Sequence, residues 1–316
     1  MNFETVNILG TLEVLTEPHL EFRLPNNHYS YLVPFLWDVT QKGDFNLLSL
    51  GRDEGWINAT DIDIALKSWQ SLELRGYLNL DDDPDDYEDE DIMSHQLADE
   101  RAKIYHIFAE IIQNNLSNIE ILKFSKSPDY SFFVILGKTP ENNWFCFSQS
   151  VARETKIEDE IKYSILPDLT IEQSFDDNVL KLRDNFQKIL NQLQPISIYG
   201  YYGGGYDYSF NHCLVQSIAH TKEKALLLAL HQAGMLDIAR FHEFNLEGFS
   251  WIFEKDEIAE LYPRYQKINK FLTQNLTDLR TIRCSFWNRE SIYVIGQTNA
   301  GDITGIYIES DFDYNP

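Results

Sequence analysis

Apolar and polar positions along this chain change period, and the changes recur. From Tyr105, the apolar residues Tyr105, Phe108, Ile111 and Ile112 fall three and four apart, and the run ends at Asn115-Leu116 before a β-like stretch to Phe124. That spacing predicts one face of an amphipathic helix, then a short turn and a strand. The same text returns 160 residues later without a gap, from Tyr265 to Cys284, with Asn275-Leu276 at the helix end. After a one-residue slip, Val134-Ile135-Leu136-Gly137-Lys138-Thr139 matches Tyr293-Val294-Ile295-Gly296-Gln297-Thr298. Polar turns follow at Pro140–Asn143 and Asn299–Asp302, then β-rich runs at Trp144–Phe147 and Ile303–Ile308. Strand, polar turn and strand predict a hairpin in each copy.

Weaker correspondence extends backwards. The run Tyr31–Trp37 is paired with about Tyr208–Val215, the β-like run Phe45–Leu50 with Ala225–His231, and Asp61–Ile64 with Asp237–Arg240. Constant spacing of several short motifs is the signature of internal duplication. The expected units are 1–155 and 156–316, divided in the polar stretch that begins near Thr155.

Composition narrows the function. The 316 residues carry 26 Lys+Arg against 50 Asp+Glu, a formal charge of −24. The charge is uneven, −16 over 1–155 and −8 over 156–316, and Asp81–Asp91 alone holds nine carboxylates. A nucleic-acid binder gains affinity by releasing counterions from a polyanion, and this chain would be repelled by one. Anionic membrane surfaces are disfavoured for the same reason, whereas a basic protein partner is favoured. No apolar stretch approaches a membrane span, and Met1–Gly10 does not read as a signal peptide. Cys146, Cys213 and Cys284 are far apart and unpaired in pattern, which suits a reducing cytoplasm. The eight histidines show no zinc spacing, so no metal and no cofactor are expected.

Two segments stand out. The acidic run fails as a calcium loop, because a count from Asp81 puts Asp86 and Ile92 where Gly and Glu are needed. A solvated, self-repelling loop is the favoured reading, and a polyanion mimic facing a basic cleft is the other. The stretch Tyr199–Tyr208, YGYYGGGYDY, has three glycines but no phosphate-loop lysine. It reads equally as an adaptable, tyrosine-rich contact loop or as a plain connection. Trp37, Trp56, Trp69, Trp251 and Trp287 read as packing residues, Asp61–Asp63 as a helix cap and first turn, and His106 and His220 as packed or solvent-facing. No catalytic constellation emerges, so the chain is not expected to be an enzyme.

Taken in order, Phe35-Leu36-Trp37, Asp61–Asp63, Tyr87–Glu90, the Asn-Leu helix ends and the Val-Ile-Gly-x-Thr strand resemble the cyanobacterial nuclease A inhibitor family. The most specific piece is Tyr293–Gly301 with Thr304-Gly305-Ile306. The resemblance implies an α+β fold of two tandem three-layer α-β-α sandwich domains with mixed sheets. It also implies an acidic, non-catalytic protein that occludes the metal-containing cleft of a non-specific endonuclease or another basic partner. Family inhibitors reach that cleft with an acidic residue in the loop before the Phe-Leu-Trp strand and with their last residues. Here the expected carboxylate falls on or near Asn26 or Asn27, and the second copy of the loop holds no Glu. The candidate partner-binding residues are Asn26, Asn27, Tyr29, Asp85, Asp86, Tyr87, Glu88, Tyr202, Tyr206 and Asp207. The alternative is a structural or assembly module without inhibitory activity, which the missing carboxylates favour.

Overall fold

The computed structural model describes residues 2–22, 30–74, 76–77, 93–126, 131–150, 174–202, 206–241, 244, 255–286, 289–311 and 314–315. Its repeated junctions show why the recurring motifs are built as they are. Helix α5 (His95–Asn115) leads into β6 (Ser117–Phe124), and α8 (Lys255–Asn275) into β13 (Thr277–Phe286). Asn115 and Asn275 each donate a side-chain N–H to the carbonyl four residues back, at 2.8 Å, and so close the helix end. Asn118 and Asp278 then take positive φ, 48° and 50°, a conformation these two residue types tolerate. Both sheet registers shift at this point.

Strands β7 (Phe132–Lys138) and β14 (Arg289–Gln297) carry Gly137 and Gly296 beneath the Asn-Leu leucines. A Cβ on Gly137 would come within 2.7 Å of Leu116 Cδ1, and one on Gly296 within 2.9 Å of Leu276 Cβ. The leucine and the glycine are therefore one packing unit, separated in sequence and superposed in space. The next residues close hairpins in the same way: Thr139 N–H donates to Asn143 O at 2.8 Å and Thr298 N–H to Asp302 O at 2.9 Å. The turns use positive φ at Asn142 (66°) and Gly301 (92°) and lead to β8 (Trp144–Gln149) and β15 (Ile303–Asp311).

The remaining elements of residues 1–155 are α1 (Phe3–Thr16), β1 (Glu21–Phe22), β2 (Ser30–Tyr31), β3 (Val33–Trp37), α2 (Val39–Lys42), α3 (Leu47–Asp53), β4 (Ile57–Thr60), α4 (Ile62–Glu73) and β5 (Gly76–Tyr77). Those of residues 156–316 are α6 (Asp177–Leu190), β9 (Ile196–Tyr202), β10 (Tyr206–His212), β11 (Leu214–Ala219), α7 (Lys222–Gln232), β12 (Leu236–Arg240) and β16 (Tyr314–Asn315). The fold is α+β. The strand pairs among the described residues are antiparallel, where mixed sheets were expected.

Two five-stranded sheets run β11-β8-β7-β6-β4 and β12-β13-β14-β15-β3. Each takes its edge strand from the other half of the chain. β3 pairs with β15 from Trp37↔Ile303 to Val33↔Tyr307, and β11 pairs with β8 from Leu214↔Gln149 to Ala219↔Trp144. The helices before these edge strands cross over with them. Helix α1 packs on α8 and β15, and α6 packs on α5 and β11.

Three cores result. Trp69, Tyr105, Phe108, Phe145, Phe147 and Phe186 bury the outer face of the first sheet against α4, α5 and α6. Ile8, Leu12, Tyr265, Leu272, Val294 and Ile306 do the same for the second sheet against α1 and α8. The third core joins both sheets, with Trp37, Trp56, Phe124, Phe132, Tyr293 and Phe286 around α3 and α7. The Trp56 ring stands edge-on to Phe286, centroids 4.7 Å apart.

Two of the three weaker correspondences come out differently, and in the third the pairing holds but the element type differs. Phe45–Leu50 is not a strand: Leu47–Asp53 is helix α3, started by Asn46 accepting from Ser49 N–H. Ala225–His231 is likewise helical within α7, capped by Thr221. Short leucine-rich runs do not distinguish strand from buried helix, and here the caps decide. Asp61–Ile64 begins a helix whereas Asp237–Arg240 is strand β12. The counterpart of β12 is β4, since each follows a positive-φ glycine, Gly55 or Gly234, and pairs with the strand after the long helix. Tyr208–Val215 spans the end of β10 and the start of β11, so the counterpart of β3 is β11 rather than that run. Trp37, Trp56 and Trp69 are buried as expected, and Trp251 and Trp287 lie outside the described residues.

Candidate partner-binding face

A third, four-stranded sheet is built around β9. It carries β10 on one edge, and β5 and β16 on the other. β9 and β10 form a hairpin in register from Ile196↔His212 to Tyr202↔Tyr206. β5 pairs at the start of β9, Tyr77↔Ser197 and Gly76↔Ile198. β16 pairs at its end, Tyr314↔Tyr202 and Asn315↔Tyr201. The tyrosine-rich stretch is therefore a hairpin, with Tyr202, Tyr206 and Asp207 flanking its turn.

Asp85, Asp86, Tyr87 and Glu88 lie outside the described residues, as do Asn26, Asn27 and Tyr29. Their attachment points are described. Tyr77, the last described residue before the acidic segment, pairs with Ser197 near the start of β9. The 23–29 segment joins β1 to β2, and Ser30 Oγ donates to Glu309 O at 2.7 Å, near the end of β15. β15 ends at Asp311 and β16 begins at Tyr314. Gly76-Tyr77 and Tyr314-Asn315, far apart in sequence, thus attach to one strand, β9.

Beneath that sheet lies a buried polar cluster that the sequence did not single out. Glu73, the last residue of α4, accepts two hydrogen bonds from Arg101 of α5, at 2.7 and 2.9 Å, and a third from Tyr105 Oη at 2.6 Å. His212, the last residue of β10, has Nε2 3.8 Å from Glu73. All four side chains are buried. Burial opposes the Arg101 charge, and the hydrogen bonds and attraction of Glu73 overcome it, so the guanidinium pKa rises. Burial and the Glu73 carboxylate push Tyr105 well up. Burial pulls His212 down to about 4, against the attraction of Glu73. His212 is therefore neutral at pH 7, and neither ring nitrogen has a hydrogen-bond partner. The cluster ties the end of α4, the first half of α5 and β10 together. The signal in sequence was weak: a Glu and an Arg 28 residues apart, with the histidine in a strand 139 residues beyond the Glu.

Other polar contacts join the halves. Asp302, buried at the second hairpin turn, accepts from Thr5 Oγ1 at 2.7 Å and from Val39 N–H at 3.0 Å. At the equivalent turn, Asn143 Oδ1 lies 2.7 Å from His220 Nδ1. Each turn thus touches the chain just beyond the edge strand that the other half supplies. Lys126 also crosses over, bonding Ser291 and Tyr307, the latter at 2.9 Å. Burial lowers its pKa in spite of Glu309. Asp61 is the N-cap position of α4 and Asp63 lies in its first turn, as the cap reading expects. His106 is exposed, with Nε2 3.3 Å from Glu110 on the next helical turn.

Among the described residues no group of three or more His, Cys, Asp or Glu could hold a metal ion, and no helix is long and apolar enough to cross a membrane. The three cysteines are free, and burial pushes the Cys284 thiol up to about 12. What the fold and this sheet define is a class: an acidic α+β protein with a strand-built face. Residues 183–310 match the family described as nuclease A inhibitor-like protein, so the chain carries a nuclease A inhibitor-like region from within α6 to the end of β15. None of the curated proteins matches the chain. The matched stretch is continuous in sequence but not in space, because α6 and β11 pack on the sheet of the other half.

Proposed function

We propose that this is a non-catalytic, cytoplasmic, protein-binding protein that inhibits or regulates a nuclease, or another basic partner, by occluding its cleft. The observation that carries the proposal is the convergence on β9, where the tyrosine-rich hairpin, the short strand β5 that precedes the acidic segment in sequence, and the last strand share one sheet. The −24 charge supports a basic partner, since opposite fields steer encounter. Asp85, Asp86, Tyr87 and Glu88 would lie in the cleft as a stand-in for polyanion, with Tyr202, Tyr206 and Asp207, and Asn26, Asn27 and Tyr29, at its border. Neither nucleic acid nor membrane is a partner in this reading. The repeat units are 1–155 and 156–316, and each lends a helix and a strand, α1 with β3 and α6 with β11, to the sheet of the other.

Titrating the protein into a sugar-non-specific DNA/RNA endonuclease tests this. Activity should fall stoichiometrically, and the complex should weaken as salt rises. If no endonuclease slows and no basic protein binds, the reading is lost. One observation favours a second reading, an assembly module without inhibitory activity. Asn26 and Asn27 stand where the family resemblance calls for a carboxylate, and a stable complex with full nuclease activity would support that reading instead.

A further inference from the structure

We propose that the outward face of helix α1 is a docking surface for an apolar, basic-flanked helix of a partner protein. The surface is built from other elements than the sheet around β9, and it goes beyond the cleft-occluding reading, on which it does not depend. Successive residues of a helix turn by ~100°. Thr5, Ile8, Leu12 and Thr16 therefore share one arc of ~80°, and all four are buried. Phe3, Val6, Gly10 and Val14 share a second arc of ~80° on the opposite side. There Phe3 is 78% exposed, Val6 46% and Val14 73%. Exposed apolar residues scattered singly need no explanation, but a contiguous stripe marks a contact site. A helix that is apolar on both faces is one that is covered on both.

The fold does not require this stripe. Helix α6 is the counterpart of α1 in the other half, since each packs on a long helix and beside an exchanged edge strand. Every exposed position of α6 is polar, Lys181, Asp184, Asn185 and Lys188 among them. Packing within the chain does not explain Gly10 either. Glycine weakens a helix interior, and a Cβ added at Gly10 would meet nothing within 4 Å. A glycine in the middle of the stripe lets a second helix come close, towards the ~8 Å lower end of helix-packing distances. Charge selects the occupant. Glu13 borders the stripe on one side and Glu4 on the other, beyond Asn7 and Thr11, and residues 1–22 hold four glutamates and no Lys or Arg. Asn299 donates to the Glu4 carboxylate at 2.7 Å and holds it in place. A second copy of the chain would set these glutamates against one another, with a charge of −24 on each copy. A helix with apolar residues three and four apart and Lys or Arg along its flanks satisfies both the stripe and its acidic border. The 14 residues of α1 span ~21 Å, enough for about four turns of such a helix.

The test uses the full chain and three fluorescent synthetic helices of about four turns as probes. One has a leucine stripe with lysine flanks, one the same stripe with glutamate flanks, and one the lysines with its leucines scattered round the helix. Fluorescence anisotropy should show the first bound, and the other two bound at least tenfold more weakly. Val14→Lys and Gly10→Leu, both on the outward face, should each weaken the first probe at least tenfold with the far-UV circular dichroism unchanged. Asn185→Lys makes the same change of charge on the outer face of α6 and should leave the affinity as it is. If the first probe does not bind, the docking surface is overturned. If it binds equally well to the α1 variants, or if the scattered probe matches it, the attraction is to net charge alone and the surface is again overturned. A dimer of the chain by itself in sedimentation, dissociated by Val14→Lys, would show a second copy on the stripe and overturn the partner helix. None of these outcomes bears on nuclease inhibition, which the endonuclease titration tests separately.

Discussion

Acidification should weaken this fold through one buried side chain. His212 is fully buried, with both ring nitrogens lacking hydrogen-bond partners, and its pKa is pulled from its ordinary 6.5 to about 4. A depressed histidine pKa means that the native state prefers the neutral ring, while the unfolded chain accepts a proton near pH 6.5. The associated stability is present above pH 6.5 and is lost as pH falls from there towards 4. Linkage between those two values gives a loss of about 3 kcal/mol at pH 4, and nearly none at pH 7. Fifty carboxylates also titrate in an acid scan, so a difference measurement is needed. Urea unfolding followed by tryptophan fluorescence, at pH 7 and pH 4, should show His212→Leu losing about 3 kcal/mol less than the parent over this interval. The leucine keeps the site apolar and removes the proton. Its own effect on packing enters at both pH values and cancels in the comparison. If the two proteins lose stability in parallel, His212 is not held neutral by the fold, and the account of this cluster is wrong.

Other outcomes follow from particular contacts. Glu73→Leu or Arg101→Leu alone strands a buried charge and should cost about 3–5 kcal/mol, whereas the double variant should cost clearly less than the sum, as measured by a double-mutant cycle in urea. Asp302→Ala removes the acceptor for Thr5 and Val39; it should cost about 2–4 kcal/mol and speed amide exchange in α1 and β3 ahead of the other elements. A Cβ at Gly305 would stand 2.1 Å from Val294 O, a backbone atom, while one at Gly10 meets nothing within 4 Å. Gly305→Ala should therefore destabilise strongly, and Gly10→Ala, inside α1, should raise stability by about 0.5–1 kcal/mol, both read from thermal midpoints.

The repeated junctions were legible because their causes are local. Asn-Leu ends a helix, a positive φ follows, and a glycine three strand positions before the hairpin turn makes room for the leucine, all within a few dozen residues. The α+β character and the family resemblance followed from the same text. Element type was misread where only a short leucine run was available, at Phe45–Leu50. There the deciding feature was a single side-chain cap, from Asn46 to Ser49 N–H.

The sheet around β9 was only half legible. The tyrosine–glycine stretch stood out as an odd composition, but nothing in it announced that Gly76-Tyr77 and Tyr314-Asn315 pair with it. The cluster of Glu73, Arg101, Tyr105 and His212 gave no local sign either, because a buried charge is recognised only by what surrounds it.

By itself the sequence determined the local elements, the recurrence at a shift of 160 and the excess of negative charge, since these depend on neighbours along the chain. Only the tertiary structure decided which half each edge strand completes. A strand edge has unpaired N–H and C=O groups that any strand of suitable face can satisfy, and β3 and β11 have equivalent places in the two halves. Trp37 opposite Ile303 and Ala219 opposite Trp144 are the exchanged solution. That exchange joins the two halves through both five-stranded sheets.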